Sequence, residues 1–224
     1  MKKAVIWGSS GHALVVANIM QLEGRFEIIG MIDDVYAELH GHEVAGLRVL
    51  GGKEQLGILI KSGITHLIFG FGDCRARLHL TPFVEQIGFE FASAIHPTAI
   101  IASTAEIGAG TVVVAGAIIN PGAKIGRNCI VNTGASVDHE CVIGDAVHIG
   151  PGARLAGRVN IEAGAWVAIG AAVIDRVRIG AGAIVGAGAV ITRDVPAGMV
   201  VYGAPGRIIR TVAEQLSRQS GTAD

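Results

Sequence analysis

From Ile95 to Pro196 the chain repeats a six-residue pattern seventeen times without a break. Each hexad opens on an aliphatic residue, from Ile95, Ile101, Ile107 and Val113 through to Ile191. Its fifth place is slim, as in Ala99, Ala105, Thr111, Cys129, Ala135 and Val195. A six-residue period matches neither a helix nor simple strand alternation, and it is too short for a helix-turn-helix repeat. It therefore predicts one side of a parallel β-helix. Three hexads make a triangular coil, with the opener filling the interior, the slim residue near the turn, and glycine-rich pairs allowing tight corners. Residues eighteen apart then stack on neighbouring coils, giving between five and six coils and, at roughly 4.8 Å each, a prism roughly 27 Å long.

Before the repeat, short apolar runs alternate with helical segments, the signature of an α/β unit. Strands are expected over 4–7, 27–32, 65–71 and 90–94, and helices over 12–22, 53–62 and 75–87, forming a small parallel sheet. The domains expected are 1–92, 93–198 and a C-terminal segment 199–224.

Composition narrows the function. Half of the residues are hydrophobic and 17% charged, so the 33 glycines do not mark a disordered segment. A net charge of -1 without a basic cluster argues against a nucleic-acid surface. No apolar stretch reaches membrane-spanning length, and Gly8 to His12 interrupts the first apolar run too early for a signal peptide. Three cysteines without a CxxC spacing fit a reducing cytoplasm. Cys129 and Cys141 fall on inward fifth places, whereas Cys74 has no evident partner.

Candidate chemistry lies in two places. The first turn, Gly8-Ser-Ser-Gly-His12, joins a strand to a helix, where free backbone N–H groups attract phosphate. It lacks the full Gly-x-Gly-x-x-Gly of a dinucleotide site, and a purely structural turn is the alternative. Asp33 and Asp34 end the second strand, where carboxylates can meet a ribose or a base edge. Gly70-x-Gly72, followed by Asp73, Arg75 and Arg77, ends the third strand at the same sheet edge.

Within the repeat, His139 and His148 occupy third and sixth places, neither directed into the core. An outward imidazole beside Glu140 has the makings of a general base; two solvated surface histidines are the bland alternative. No metal is expected, because His-x8-His has no third histidine nearer than His96, more than two coils away.

These features together resemble bacterial left-handed β-helix sugar acyltransferases with an N-terminal Rossmann-like domain. The nearest in pattern are the bacillosamine- and perosamine-type nucleotide-sugar N-acetyltransferases; sialic acid O-acetyltransferases are further off. The resemblance runs from Gly8-Ser-Ser-Gly-His12 to Val201-Tyr-Gly-Ala-Pro-Gly-Arg207. It implies His139 as general base and Glu140 as its orienting carboxylate. It also implies His148, Gly157, Ile169, Ala187 and Arg207 on acetyl-CoA, with the Gly157 N–H available to an oxyanion, although Gly206-Arg207 stands where relatives commonly have Ala-Lys. For the nucleotide-linked amino sugar it implies Ser10, Gly11, His12, Asp33, Asp34, Gly72 and Asn132. A homotrimer with acetyl-CoA between adjacent prisms, left-handed coiling, and direct transfer to the amine of a nucleotide-linked 4-amino-4,6-dideoxy sugar are further implications. An O-acetyltransferase and a non-catalytic scaffold are the rival readings.

Overall fold

In the computed structural model, which describes residues 1–220, an α/β unit is followed by a parallel β-solenoid of about six turns. The α/β unit holds β1 (Lys2–Trp7), α1 (Gly11–Glu23), β2 (Phe26–Ile32), the hairpin β3 (Glu43–Val44) and β4 (Leu47–Arg48), α2 (Leu56–Lys61), β5 (His66–Phe69), α3 (Cys74–Ile87) and β6 (Glu90–Phe91). Its four-stranded sheet is parallel, in the order β2-β1-β5-β6. The strands lie where the apolar runs place them. The expected strand over 90–94 divides, because Ala94 leaves β6 and pairs with Val112 in the first coil. The β3–β4 hairpin, polar and short, carries no periodic signal.

The solenoid consists of seventeen two-residue strands, β7 (Ala94–Ile95) to β23 (Val190–Ile191), with each hexad opener as the second residue of its strand. Partners stand eighteen residues apart, as in Ile130↔His148 and Val131↔Ile149. Openers and fifth places point inward together, so Val131, Ala135, Val137, Cys141, Leu155 and Val159 form one continuous core. Between strands the fourth place of the hexad turns through positive φ, at Gly116, Gly134, Gly152, Gly170 and Gly188 along one corner. Such a conformation suits glycine, which has no Cβ to clash with the following carbonyl.

The eight-stranded face continues past the repeat into β24 (Met199–Tyr202) and the antiparallel β25 (Arg207–Thr211), with α4 (Val212–Ser220) closing the chain. Of the segment expected over 199–224, positions 221–224 lie outside the described residues. The two parts share a core, in which Ala4, Ile6, Ala13 and Met20 pack with Ala94, Val112 and Ile130 of the solenoid.

One buried arginine fastens this junction. Arg77, 1% exposed, donates to the carbonyls of Asn128 (2.9 Å), Phe71 (3.1 Å) and Ala146 (3.0 Å), and Asn128 Nδ2 donates to Thr81 Oγ1 at 2.7 Å. Arg77, which the sequence sets at the same sheet edge as the Gly8–His12 turn, thus has its donors spent inside the protein. Cys74, which the sequence leaves without a partner, sits at the same junction against Arg77 and the Ala165 carbonyl.

Candidate active site

His139 follows the strand Ser136–Val137, at the corner between the six-stranded and five-stranded faces. Its backbone N–H donates to Asp138 Oδ1 at 2.7 Å, and Asp138 Oδ1 also accepts from Asn120 Nδ2 at 3.0 Å. Glu140 Oε2 lies 3.1 Å from His139 Nδ1. The ionised carboxylate can only accept, so Nδ1 carries a proton, and in the neutral ring the lone pair is on Nε2. The hydrogen bonds from His139 and Arg158 hold the Glu140 carboxyl below the usual carboxylate range. Cys141, next in the chain, points inward, and burial raises its thiol pKa, leaving no thiolate to attack a thioester.

Gly157 stacks one coil beyond His139. A Cβ built there would stand 2.5 Å from His139 Nε2 and 2.6 Å from Cε1, so only glycine leaves room for the ring in this position. Among the described residues no acceptor meets the Gly157 N–H, whereas the neighbouring Arg158 N–H is bonded to the His139 carbonyl. His139 Nε2 and an unpaired backbone donor thus lie on adjacent coils.

His148 projects from a different face, the eight-stranded one. It points away from the solenoid core but is covered by the first domain. Its Nε2 lies 3.1 Å from Asn132 Nδ2, its ring stacks with Trp166, and the His12 ring is 6.5 Å away. Burial, reinforced by the nearby Arg77 cation, lowers its pKa to about 3 and that of His12 to about 4, so both rings are neutral near pH 7. His12 Nε2 is buried without a hydrogen-bond partner. Gly72 also meets His148, so Asn132, His148, His12 and Gly72 converge at the domain junction.

Ser10 is the N-cap of α1, with no side-chain cap bond and no acidic residue in the first turn. The leading amides, including those of Gly11 and His12, thus have no intrahelical acceptor, the arrangement that attracts an anion. The turn is held by Asp33, which is 4% exposed and accepts from the Ser9 amide and hydroxyl (both 2.7 Å), Val35 N (2.7 Å) and Tyr36 N (3.0 Å). Contrary to the expectation that it meets a ligand, Asp33 has its oxygens committed to the loop. Asp34 is exposed and accepts from Trp7 Nε1 and Lys53 N.

Beyond His148, the column Trp166, Ile184 and Tyr202 lines a largely apolar groove of about 410 Å³, walled by Gly72 to Arg75 and by α4. Ile169 and Ala187 are exposed on the corner beside this face, and Arg207 is exposed at the start of β25. Asp73 caps α3 through Ala76 N at 2.8 Å. Among the described residues no cluster of His, Cys, Asp or Glu could hold a metal ion.

Residues 3–82 match the PglD N-terminal domain family, and residues 122–157 the bacterial transferase hexapeptide (six repeats) family. Over 118 residues, 51% of this chain, the protein is 36% identical to UDP-N-acetylbacillosamine N-acetyltransferase of Bacillus subtilis. That match covers 52% of the relative, so the chain spans about half the length of this curated protein. Two solved structures match nearly throughout. A histidine variant of GDP-perosamine N-acetyltransferase from Caulobacter crescentus, in complex with CoA and GDP-perosamine, has 37% identity and a TM-score of 0.89, covering 94% of this chain and 98% of that one. The acetyltransferase domain of PglB from Neisseria gonorrhoeae, in complex with acetyl coenzyme A, has 35% identity and a TM-score of 0.85, covering 93% and 99%. With both halves of the architecture matched along almost the whole chain, this protein belongs to the hexapeptide-repeat sugar N-acetyltransferases that carry a PglD-type N-terminal domain.

Proposed function

We propose that the protein transfers the acetyl group of acetyl-CoA to the amine of a nucleotide-linked 4-amino-4,6-dideoxy sugar, with His139 as general base. The observation that carries this reading is the His139–Glu140 pair, whose contact puts the lone pair of a neutral ring on Nε2, beside Gly157 and its unpaired N–H. The amine nitrogen attacks the thioester carbonyl carbon while His139 Nε2 takes its proton. The Gly157 N–H donates to the oxyanion of the tetrahedral intermediate. The carbon–sulfur bond then breaks, and the CoA thiolate leaves and takes up a proton. No acyl-enzyme is formed.

The α1 N-terminus, with Ser10, Gly11 and His12, receives the nucleotide diphosphate, Asp34 stands toward the nucleoside, and Gly72 and Asn132 line the sugar's approach. Asp33 serves this site by holding the Ser9 turn. His148 borders the thioester, the Trp166–Ile184 column with Ile169 and Ala187 offers an apolar surface to the pantetheine, and Arg207 offers a cation toward the adenine end. His139 and His148 belong to different faces of one prism, which supports a homotrimer in which the corner of one chain meets the His148 face of the next. The reading puts the enzyme in the cytoplasm, where three unpaired thiols stay reduced.

The test is thiol release from acetyl-CoA in the presence of UDP-, GDP- and dTDP-linked 4-amino sugars, with free sialic acid alongside. Release with at least one nucleotide-linked amine supports the proposal; release with sialic acid alone overturns it.

A further inference from the structure

The corner that carries His139 holds side chains where its neighbour mostly holds glycine. Along the neighbouring corner Thr98 is followed by glycine in each coil from Gly116 to Gly188, whereas this one runs Thr104, Gly122, Glu140, Arg158 and Arg176, the last three at φ of 57°, 59° and 60°. A side chain in this conformation strains the backbone, and glycine would relieve it. Glu140 and Arg158 are exposed, and an exposed ion pair stabilises too little to account for two adjacent strained corners. Asn128, Ala146 and Arg176 share this conformation; what distinguishes Arg158 is its contact with the carboxylate that meets His139.

We propose that Arg158 is a positioning residue for His139, acting through Glu140. Its Nε and one terminal nitrogen lie 2.9 and 2.8 Å from Glu140 Oε2, the same oxygen that accepts from His139 Nδ1. Its backbone N–H donates to the His139 carbonyl at 2.9 Å. One residue of the next coil therefore holds the His139–Glu140 dipeptide by its main chain and by its carboxylate.

Two effects follow from that clamp. The carboxylate is kept in the one orientation that keeps the proton on Nδ1 and the lone pair on Nε2. The guanidinium also offsets the negative charge of Glu140, which would otherwise favour the imidazolium and leave less of the ring free to accept a proton. Without Arg158 the His139 ring should be less well aimed.

This inference rests on His139 being the base, and the experiment separates the two claims. Thiol release is followed across pH for the wild type, Arg158→Gln, Arg158→Lys, Glu140→Gln and the Arg158→Gln/Glu140→Gln double variant. Arg158→Gln should lower kcat about tenfold with both KM values nearly unchanged, and should move the acid limb of the profile to higher pH. Arg158→Lys, which keeps the charge, should return the acid limb toward its wild-type position. In the Glu140→Gln background the same Arg158→Gln change should alter kcat less than about twofold, because its route of action is already gone. Arg158→Gly should lose rate while melting no lower than the wild type, since it relieves the strained corner. Equal losses in both backgrounds, kcat within twofold of wild type in Arg158→Gln, or a fall in melting temperature in Arg158→Gly would each overturn the proposal. Near-normal turnover in His139→Ala would instead remove the base itself, and is read separately.

Discussion

At the scale of single residues the site depends on what each side chain is prevented from doing. His139 is kept from using Nδ1 as its basic nitrogen by Glu140, and its ring fits because residue 157 has no side chain. Gly157→Ala should therefore displace the imidazole and lower kcat by about tenfold or more, with little change in thermal stability because the ring can swing into solvent. Kinetics beside a melting curve would check this, and unchanged kcat would count against the placement of the ring. His12 and His148 are prevented from ionising. In the unfolded chain both protonate near pH 6.5, whereas in the folded protein they resist to about 4 and about 3. The unfolded state then binds more protons in between, so this contribution to stability is fully present above pH 6.5 and is lost as pH falls toward 4 and 3. Urea midpoints measured from pH 7 to pH 4.5 should fall less in His148→Gln than in the wild type, and parallel curves would refute the assignment. The outward placement of His139 and Glu140 and the inward placement of Cys141 are legible from hexad register alone. Arg158 also leaves a signal there, since it occupies a fourth place that is glycine in most hexads and stands eighteen residues beyond Glu140. The fate of Asp33 leaves none, because whether a carboxylate faces a ligand or its own loop is decided by donors such as Ser9 and Tyr36 that only folding brings near.

At the scale of elements, the solenoid fixes spacing and the first domain supplies what spacing cannot. The eighteen-residue coil sets Gly157 against His139 and Trp166 against His148. No register argument brings α1 and α3 onto the eight-stranded face, since that docking depends on one arginine donating to three carbonyls from different segments. Arg77→Ala should strand these buried acceptors and leave a void, costing about 2–4 kcal/mol of stability. Arg77→Lys should recover little of it, because an ammonium cannot span the planar fork. Chemical denaturation measures both, and a loss below about 0.5 kcal/mol for Arg77→Ala would show that the apolar contacts of Ala94, Val112 and Ile130 suffice to hold the junction. The same junction buries His148, which the hexad register alone would leave solvated.

For the whole molecule, His139 and His148 lie on different faces of one prism, and the proposed site therefore calls for two chains. In the proposed inter-chain site the two come from different chains, so an inactive His139→Ala chain and an inactive His148→Ala chain should restore activity when assembled together. With random mixing about a quarter of the inter-chain sites would hold both native residues. A co-assembled sample no more active than either parent would contradict the shared site. The family's nucleotide-sugar chemistry, read through this geometry, comes to one claim, that His139 accepts the proton of the attacking amine. The direct measurement is steady-state turnover of His139→Ala with acetyl-CoA and the nucleotide-linked amino sugar that the wild type prefers. The account predicts kcat lower by about 10² to 10⁴ with KM values changed only a few-fold; turnover near that of the wild type would contradict it.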